Sequence, residues 1–198
     1  MGTWIAEQIT CKLIASSVIE EGDRELYSYG FFLLISKIFF FFVAVIAGLL
    51  TDTTVESIIF YVVFMLLRTY AGGIHARTEM SCTVLTTLAL IASVLVIKQL
   101  EIHTSGAISL LMFGIGSLCI LVFSPLDTDG KPLDKHEKRQ YKTVCIAILI
   151  IYVIVALIAW IHCIKNIFYP ICCGICLESL LLMLGKICDH RESRNHII

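Results

Sequence analysis

The run 29-YGFFLLISKIFFFFVAVIAGLL-50 decides what kind of chain this is. Apart from Tyr29, Ser36 and Lys37 its side chains are all apolar. As an α-helix it is long enough to cross the roughly 30 Å of hydrocarbon in a bilayer, which takes about 20 residues. Working outward, further runs of the same kind follow at Val55 to Leu67, Cys82 to Leu100, Ser105 to Phe123, Thr143 to Ile164 and Phe168 to Ile187. The first of these is short unless Arg68 to Tyr70 extend it. Of the 198 residues, 58% are hydrophobic and 16% charged, and the mean hydropathy is +0.90, outside the range of ordinary soluble domains. The expected fold is all-α, a polytopic integral membrane helix bundle with about six membrane segments.

Residues 1–28 do not have the build of a cleavable signal. Trp4, Ile5, Ile9, Leu13, Ile14 and Val18 recur at helical spacing among Glu7, Gln8, Lys12 and Ser16. That pattern predicts an amphipathic helix lying in the membrane interface. A short helix packed on the bundle fits the same periodicity. The expected organisation is thus an interfacial helix at 1–28, a membrane bundle at 29–187 with long connections at 68–82 and 124–142, and a tail at 188–198.

Lysine and arginine fix the orientation. With a cytoplasmic N-terminus, Lys12, Arg24, Arg68, Arg77, Lys131, Lys135, Lys138, Arg139, Lys142, Lys186, Arg191 and Arg194 fall inside, and only Lys98 and Lys165 fall outside. Twelve against two places both termini and both long connections in the cytoplasm. The net charge of −1 gives no basic character for nucleic acid. The nine cysteines are odd in number and mostly lie inside spans, which speaks against a disulfide framework. The C-x-x-C within 172-CCGIC-176 reads as soft packing, since no second ligand pair lies nearby, and no metal or cofactor is expected. Two charges are sunk in spans. Lys37 is close enough to the end of its span to snorkel, whereas Glu178 sits mid-span and calls for a polar partner in the bundle or at a protomer interface.

The polar interruption 68-RTYAGGIHARTEMSC-82 carries the candidate chemistry. A cysteine thiolate is a strong nucleophile, and a thiol ionises most readily beside an imidazole or at a helix N-terminus. Thr78 or Ser81 can cap the third span, with Glu79 in its first turn, which puts Cys82 near that helix's unpaired N–H groups. Those donors suit the oxyanion of a tetrahedral intermediate. On one continuous helix His75 and Cys82 would stand about 10 Å apart, too far for proton transfer. The chain must therefore turn between them, and Gly72 and Gly73 supply backbone freedom for that turn. Nine cysteines and six histidines also make chance pairs, so the residues by themselves leave this pair open between a dyad and coincidence.

At these residues the sequence resembles the accessory gene regulator protein B (AgrB) family, membrane cysteine endopeptidases that process quorum-sensing pro-peptides. The resemblance rests on Arg68, the Gly72-Gly73 pair, His75 and Cys82, and on 124-SPLDTDGKPLDKHEKRQYK-142, with its S-P, K-P and basic run between the fourth and fifth apolar segments. It covers nearly the whole chain. It implies that His75 and Cys82 are the catalytic pair, with Arg68, Gly72, Gly73 and Glu79 in support, in a bacterial cell membrane. It implies as partner an AgrD-like precursor whose acidic tail is removed as the signal segment closes to a thiolactone or lactone. Lys131, Lys135, Lys138, Arg139 and Lys142 are the candidates to bind that tail, although they exceed the acids of the same loop by one charge and serve equally as a positive-inside anchor. Glu79 and Asp127 are candidates for a third catalytic group, and neither is singled out. The resemblance and the small residues Gly114, Gly116 and Ser117 also allow a homodimer. The competing function is a small membrane peptide exporter in which Glu178 and Lys37 line a path.

Overall fold

The structure is a computed structural model and describes residues 2–73, 79–103, 106–126 and 134–195. Among them the regular elements are α1 (Gly2–Ala15), a 3-10 turn (Glu21–Asp23), α2 (Arg24–Thr51), α3 (Thr54–Ala71), α4 (Glu79–His103), α5 (Gly106–Phe123), α6 (Lys135–Ile161) and α7 (Lys165–Asn195). The expected all-helical bundle is present. Helices α2, α3, α4, α6 and α7 are long and apolar enough to cross a membrane, and Ala107–Phe123 is a shorter apolar helix. The chain is a multi-pass membrane protein, and helix is the form its spans must take because hydrocarbon offers backbone N–H and C=O groups no partner. The short second run does extend through Arg68 to Tyr70, ending at Ala71.

The chain divides into two compact units, 1–43 and 44–198. In the first, α1 lies antiparallel to the start of α2. A Cβ on Gly2 would meet the Phe32 ring at 3.4 Å, while Arg24 pairs with Glu7 at 3.2 Å and with Glu21 at 3.3 Å. Trp4, Ile5 and Ile9 of α1 are exposed, and Lys37 lies on an exposed part of α2.

In the second unit α7 is the central helix: 61% of its most apolar window is buried, against 22% for α4 and for α6. The most apolar stretch among these spans, in α6, is largely exposed. In lipid that inversion is sound, since hydrocarbon is as apolar as leucine and small or polar residues gain most from facing protein. Close backbone approach builds the centre. A Cβ on Gly174 would meet Val63 Cγ1 at 2.8 Å, and one on Gly116 would meet Ile175 Cγ2 at 3.2 Å. The small-residue group considered for a homodimer is therefore partly used within the chain. Gly116 faces α7 and Ser117 is buried, while Gly114 has open space around it.

The turns from α2 to α3 and from α6 to α7 are short. Between α2 and α3, Asp52 is left-handed at φ 57° and the Thr53 N–H donates to the Gly48 carbonyl at 2.9 Å. Between α6 and α7, Cys163 is left-handed at φ 56° and the Ile164 N–H donates to the Ala159 carbonyl at 2.8 Å. Each closes the last turn of its helix, which leaves no room for a long loop.

Candidate active site at the junction of α3 and α4

Helix α3 stops where the sequence places its glycines. Gly72 takes φ 81° and Gly73 φ 142°, conformations that L side chains rarely adopt. Space excludes a side chain as well, because a Cβ on Gly72 would lie 2.6 Å from the Leu126 carbonyl oxygen. The Leu126 N–H donates to the Ala71 carbonyl at 3.0 Å. The beginning of the second long connection is thus bonded to the end of the helix that leads into the first.

Arg68 closes the same turn from the other side. Its Nη1 donates to the Gly72 carbonyl at 3.0 Å. A Cβ on Gly73 would run into the guanidinium, so the cation lies against the bare backbone of that residue. The last carbonyls of a helix have no intrahelical donor, and a cation is the side chain best suited to them.

His75 falls outside the described residues, and with it the His75 to Cys82 separation; Thr78, Lys131 and Asp127 fall outside as well. Helix α4 resumes at Glu79, whose backbone opens the helix and whose side chain is not described. Cys82 is the fourth residue of α4 and is half-buried in its first turn, where backbone N–H groups lack intrahelical acceptors. Of the two candidate caps, Ser81 lies inside the described part of α4 and Thr78 lies outside the described residues.

The basic run is sorted by α6. Asp134 precedes the helix, and Glu137 returns its carboxylate to the Asp134 N–H at 3.2 Å, so both acids serve the helix N-terminus. Lys135, Lys138, Arg139 and Lys142 then recur at helical spacing along one stripe. Arg139 and Lys142 are exposed, Lys138 is half-buried, and the Lys135 side chain is not described. Tyr141 from the same turns meets Tyr70 of α3 with ring centroids 5.9 Å apart. The start of α6 is held against the end of α3 by that contact.

Glu178, the mid-span acid of α7, is fully buried, and neither carboxylate oxygen has a hydrogen-bond partner. Sequence spacing flags Glu178 as a costly charge, and packing seals it inside the bundle. Cys173 of the C-x-x-C donates to the Ser93 carbonyl at 3.8 Å, and Cys172 is buried in the core.

The profile of the family described as Accessory gene regulator B matches residues 6–182. An AgrB-like protein of Clostridium perfringens is 25% identical over 195 residues, covering 89% of this chain and 91% of its own length. Accessory gene regulator protein B of Staphylococcus haemolyticus is 25% identical over 154 residues, 78% of this chain and 79% of its own. An AgrB-like protein of Listeria monocytogenes is 27% identical over 141 residues, 70% and 68% of the two chains. No solved structure matches.

Proposed function

The chain belongs to the accessory gene regulator B family, whose work is quorum-sensing peptide processing, and on that premise we propose that it is a membrane cysteine endopeptidase with a His75–Cys82 dyad. The observation that carries the reading is the order Arg68, Gly72-Gly73, His75, Cys82 across a helix break, with Cys82 in the first turn of the helix that follows. A turn of that kind meets the geometric demand of the chemistry, since a continuous helix would hold imidazole and thiol apart.

The substrate is an AgrD-like precursor with an acidic C-terminal tail. His75 takes the Cys82 proton, and the thiolate attacks the carbonyl that joins signal to tail. The C–N bond breaks, the tail leaves as an amine with the proton from His75, and an acyl-thioenzyme remains. A thiol or hydroxyl within the signal segment then attacks the thioester, releasing Cys82 and closing a thiolactone or lactone. The N–H groups at the start of α4 stabilise the oxyanion of each tetrahedral intermediate. A site at the mouth of an apolar bundle favours the internal nucleophile over water. Exchange of one thioester for another is nearly isoenergetic, so removal of the tail drives the step. The dyad and both termini lie on the cytoplasmic side, where the lysines and arginines concentrate. Helix α1, with Trp4, Ile5 and Ile9 outward, rests at that surface.

The test uses purified protein in liposomes, with the peptide of a short reading frame beside the gene as substrate. Wild type is expected to release the tail and to accumulate a mass-detectable thioester, and Cys82→Ala and His75→Ala to do neither. Cleavage that persists in Cys82→Ala overturns the dyad.

A further inference from the structure

A hydroxyl in a helix commonly bonds back to a carbonyl one turn earlier. Helices α2 and α3 keep that habit, with Ser36 on Phe32 at 2.8 Å, Thr51 on Ala47 at 2.9 Å, Ser57 on Thr53 at 2.7 Å and Thr69 on Met65 at 2.7 Å. The other side of the bundle departs from it. Among the described residues, the buried side-chain oxygens without a hydrogen-bond partner are those of Ser109 and Ser117 on α5, Ser124 directly after it, Tyr152 on α6 and Glu178 on α7. They are not scattered. A Cβ on Gly116 would meet Ile175 Cγ2 at 3.2 Å and Ser179 Oγ at 3.4 Å, so Ser117 and Glu178 stand at one depth. Glu178 falls on the strip of α7 between that α5-facing pair and Gly174, which faces Val63 of α3. Tyr152 packs on the core cluster that includes Phe113, Ile120 and Ile175. Ser109, Ser117 and Ser124 recur every two turns on one side of α5, over about 22 Å of depth.

In lipid nothing outside the bundle can satisfy these groups. Internal water is what buried polar groups take when no protein atom reaches them, and acids inside spans face the bundle interior or a hydrated space. A carboxylic acid also loses far less than a carboxylate when it is sealed without a partner. We propose that α5, α6 and α7 enclose internal water molecules along the line from Ser109 through Ser117, Tyr152 and Glu178 to Ser124, and that Glu178 sits among them as a neutral acid. The ligand is water, with a proton on Glu178. One water makes about three hydrogen bonds, so it can serve oxygens on two or three helices at once and join them where no direct side-chain bond does. Ser124 lies two residues before Leu126, whose N–H bonds the Ala71 carbonyl. The line of water therefore ends where α3 breaks, and through that end the Glu178 proton exchanges with solvent. Neither the water nor the proton depends on the peptidase reading.

The experiment labels the full chain in liposomes by radiolysis in oxygen-18 water, which oxidises side chains beside bound water. Tyr152 is expected to take up label at least about fivefold faster than Phe60 and Phe64, buried in α3, once the intrinsic reactivities of the rings are allowed for. Infrared difference spectra of wild type against Glu178→Gln are expected to show the C=O stretch of a protonated carboxyl. In heavy water that band shifts within minutes, while the amides of α7 stay protected. Where Glu178→Gln does not assemble, Glu178→Asp assigns the band by moving it. Tyr152→Phe and Ser117→Ala are each expected to lower the unfolding midpoint in detergent, because a hydroxyl bonded to water is lost; removing a dry, unsatisfied hydroxyl would raise it. Label on Tyr152 at the rate of Phe60 and Phe64 overturns the proposal. So does a carboxylate band at Glu178, a carboxyl band that stays put in heavy water, or a raised midpoint in either hydroxyl variant.

Discussion

The two ends of α3 both depend on a glycine, yet they are closed by different means. At the Thr54 end, Gly48 lets the first turn of α3 pack against α2, where a Cβ would lie 2.8 Å from Thr54 Cα. The bonds around it are Thr53 N–H to the Gly48 carbonyl at 2.9 Å, Ser57 Oγ to the Thr53 carbonyl at 2.7 Å, the Thr51 and Thr53 hydroxyls to each other at 2.7 Å, and Lys98 Nζ of α4 to the Thr51 carbonyl at 2.7 Å. The result is a hairpin with nothing reactive in it. At the Ala71 end one of the groups that finish the helix comes from elsewhere in the molecule. Leu126 arrives from the second connection to bond Ala71, while Arg68 of α3 itself reaches the Gly72 carbonyl. An end closed chiefly by its own turn is fixed once that turn folds, whereas one whose last carbonyl is bonded by the backbone of another connection takes its shape partly from that connection, which suits a segment that must position chemistry.

The comparison breaks or holds first at the thiol. Cys82→Ala is expected to lower tail release at least about 10⁴-fold, read by mass spectrometry of the freed tail, because the residues of a catalytic unit fail together. Next comes Gly72→Ala, which must hold φ 81° with a Cβ 2.6 Å from the Leu126 carbonyl. Strain of that kind costs about 1–3 kcal/mol at one residue, and here it misdirects the 74–82 segment. Cleavage is expected to drop at least about a hundredfold in protein that still assembles. The matching change at the other end is Gly48→Ala, whose Cβ would meet Ser57 Oγ at 2.7 Å. It is expected to lower stability by about 1–3 kcal/mol, read as the unfolding midpoint in detergent, and to leave cleavage per folded molecule within about twofold. Equal losses of activity from Gly48→Ala and Gly72→Ala would erase the distinction between the ends.

The sequence carries the span count because each span needs an apolar run of about the bilayer's thickness. It carries the break after Ala71 because Gly72-Gly73 interrupts a helical pattern. It does not carry the central place of α7. Apolarity separates membrane from water, but inside lipid it no longer separates core from surface, and α6 outranks α7 in hydropathy while being the more exposed. The closing of the Ala71 end is hidden for another reason. The Ala71–Leu126 bond joins the end of α3 to a connection 55 residues further on whose residues look like ordinary loop. The excess of one charge in 124–142 also understates the loop, since helix α6 turns two of its acids toward its own N-terminus and aligns its cations in one stripe.

That stripe gives the smallest expected effect and the last contrast between the two ends. Near the Thr54 end, Lys98 is spent on the Thr51 carbonyl. Beside the Ala71 end, Arg139 and Lys142 are exposed on the turns that Tyr141 holds to Tyr70. If those cations receive the acidic tail, Lys138→Gln/Arg139→Gln/Lys142→Gln weakens binding of the precursor several-fold at low salt, about 0.2–1 kcal/mol per exposed pair. The effect fades at high salt, where the screening length drops to about 3 Å at 1 M. Lys98→Gln leaves binding unchanged at either salt and costs about 1 kcal/mol of stability through the lost carbonyl bond. Affinity that is the same for wild type and the triple variant at low salt removes tail recognition from α6 and leaves its cations as the anchor that keeps this side of the bundle inside.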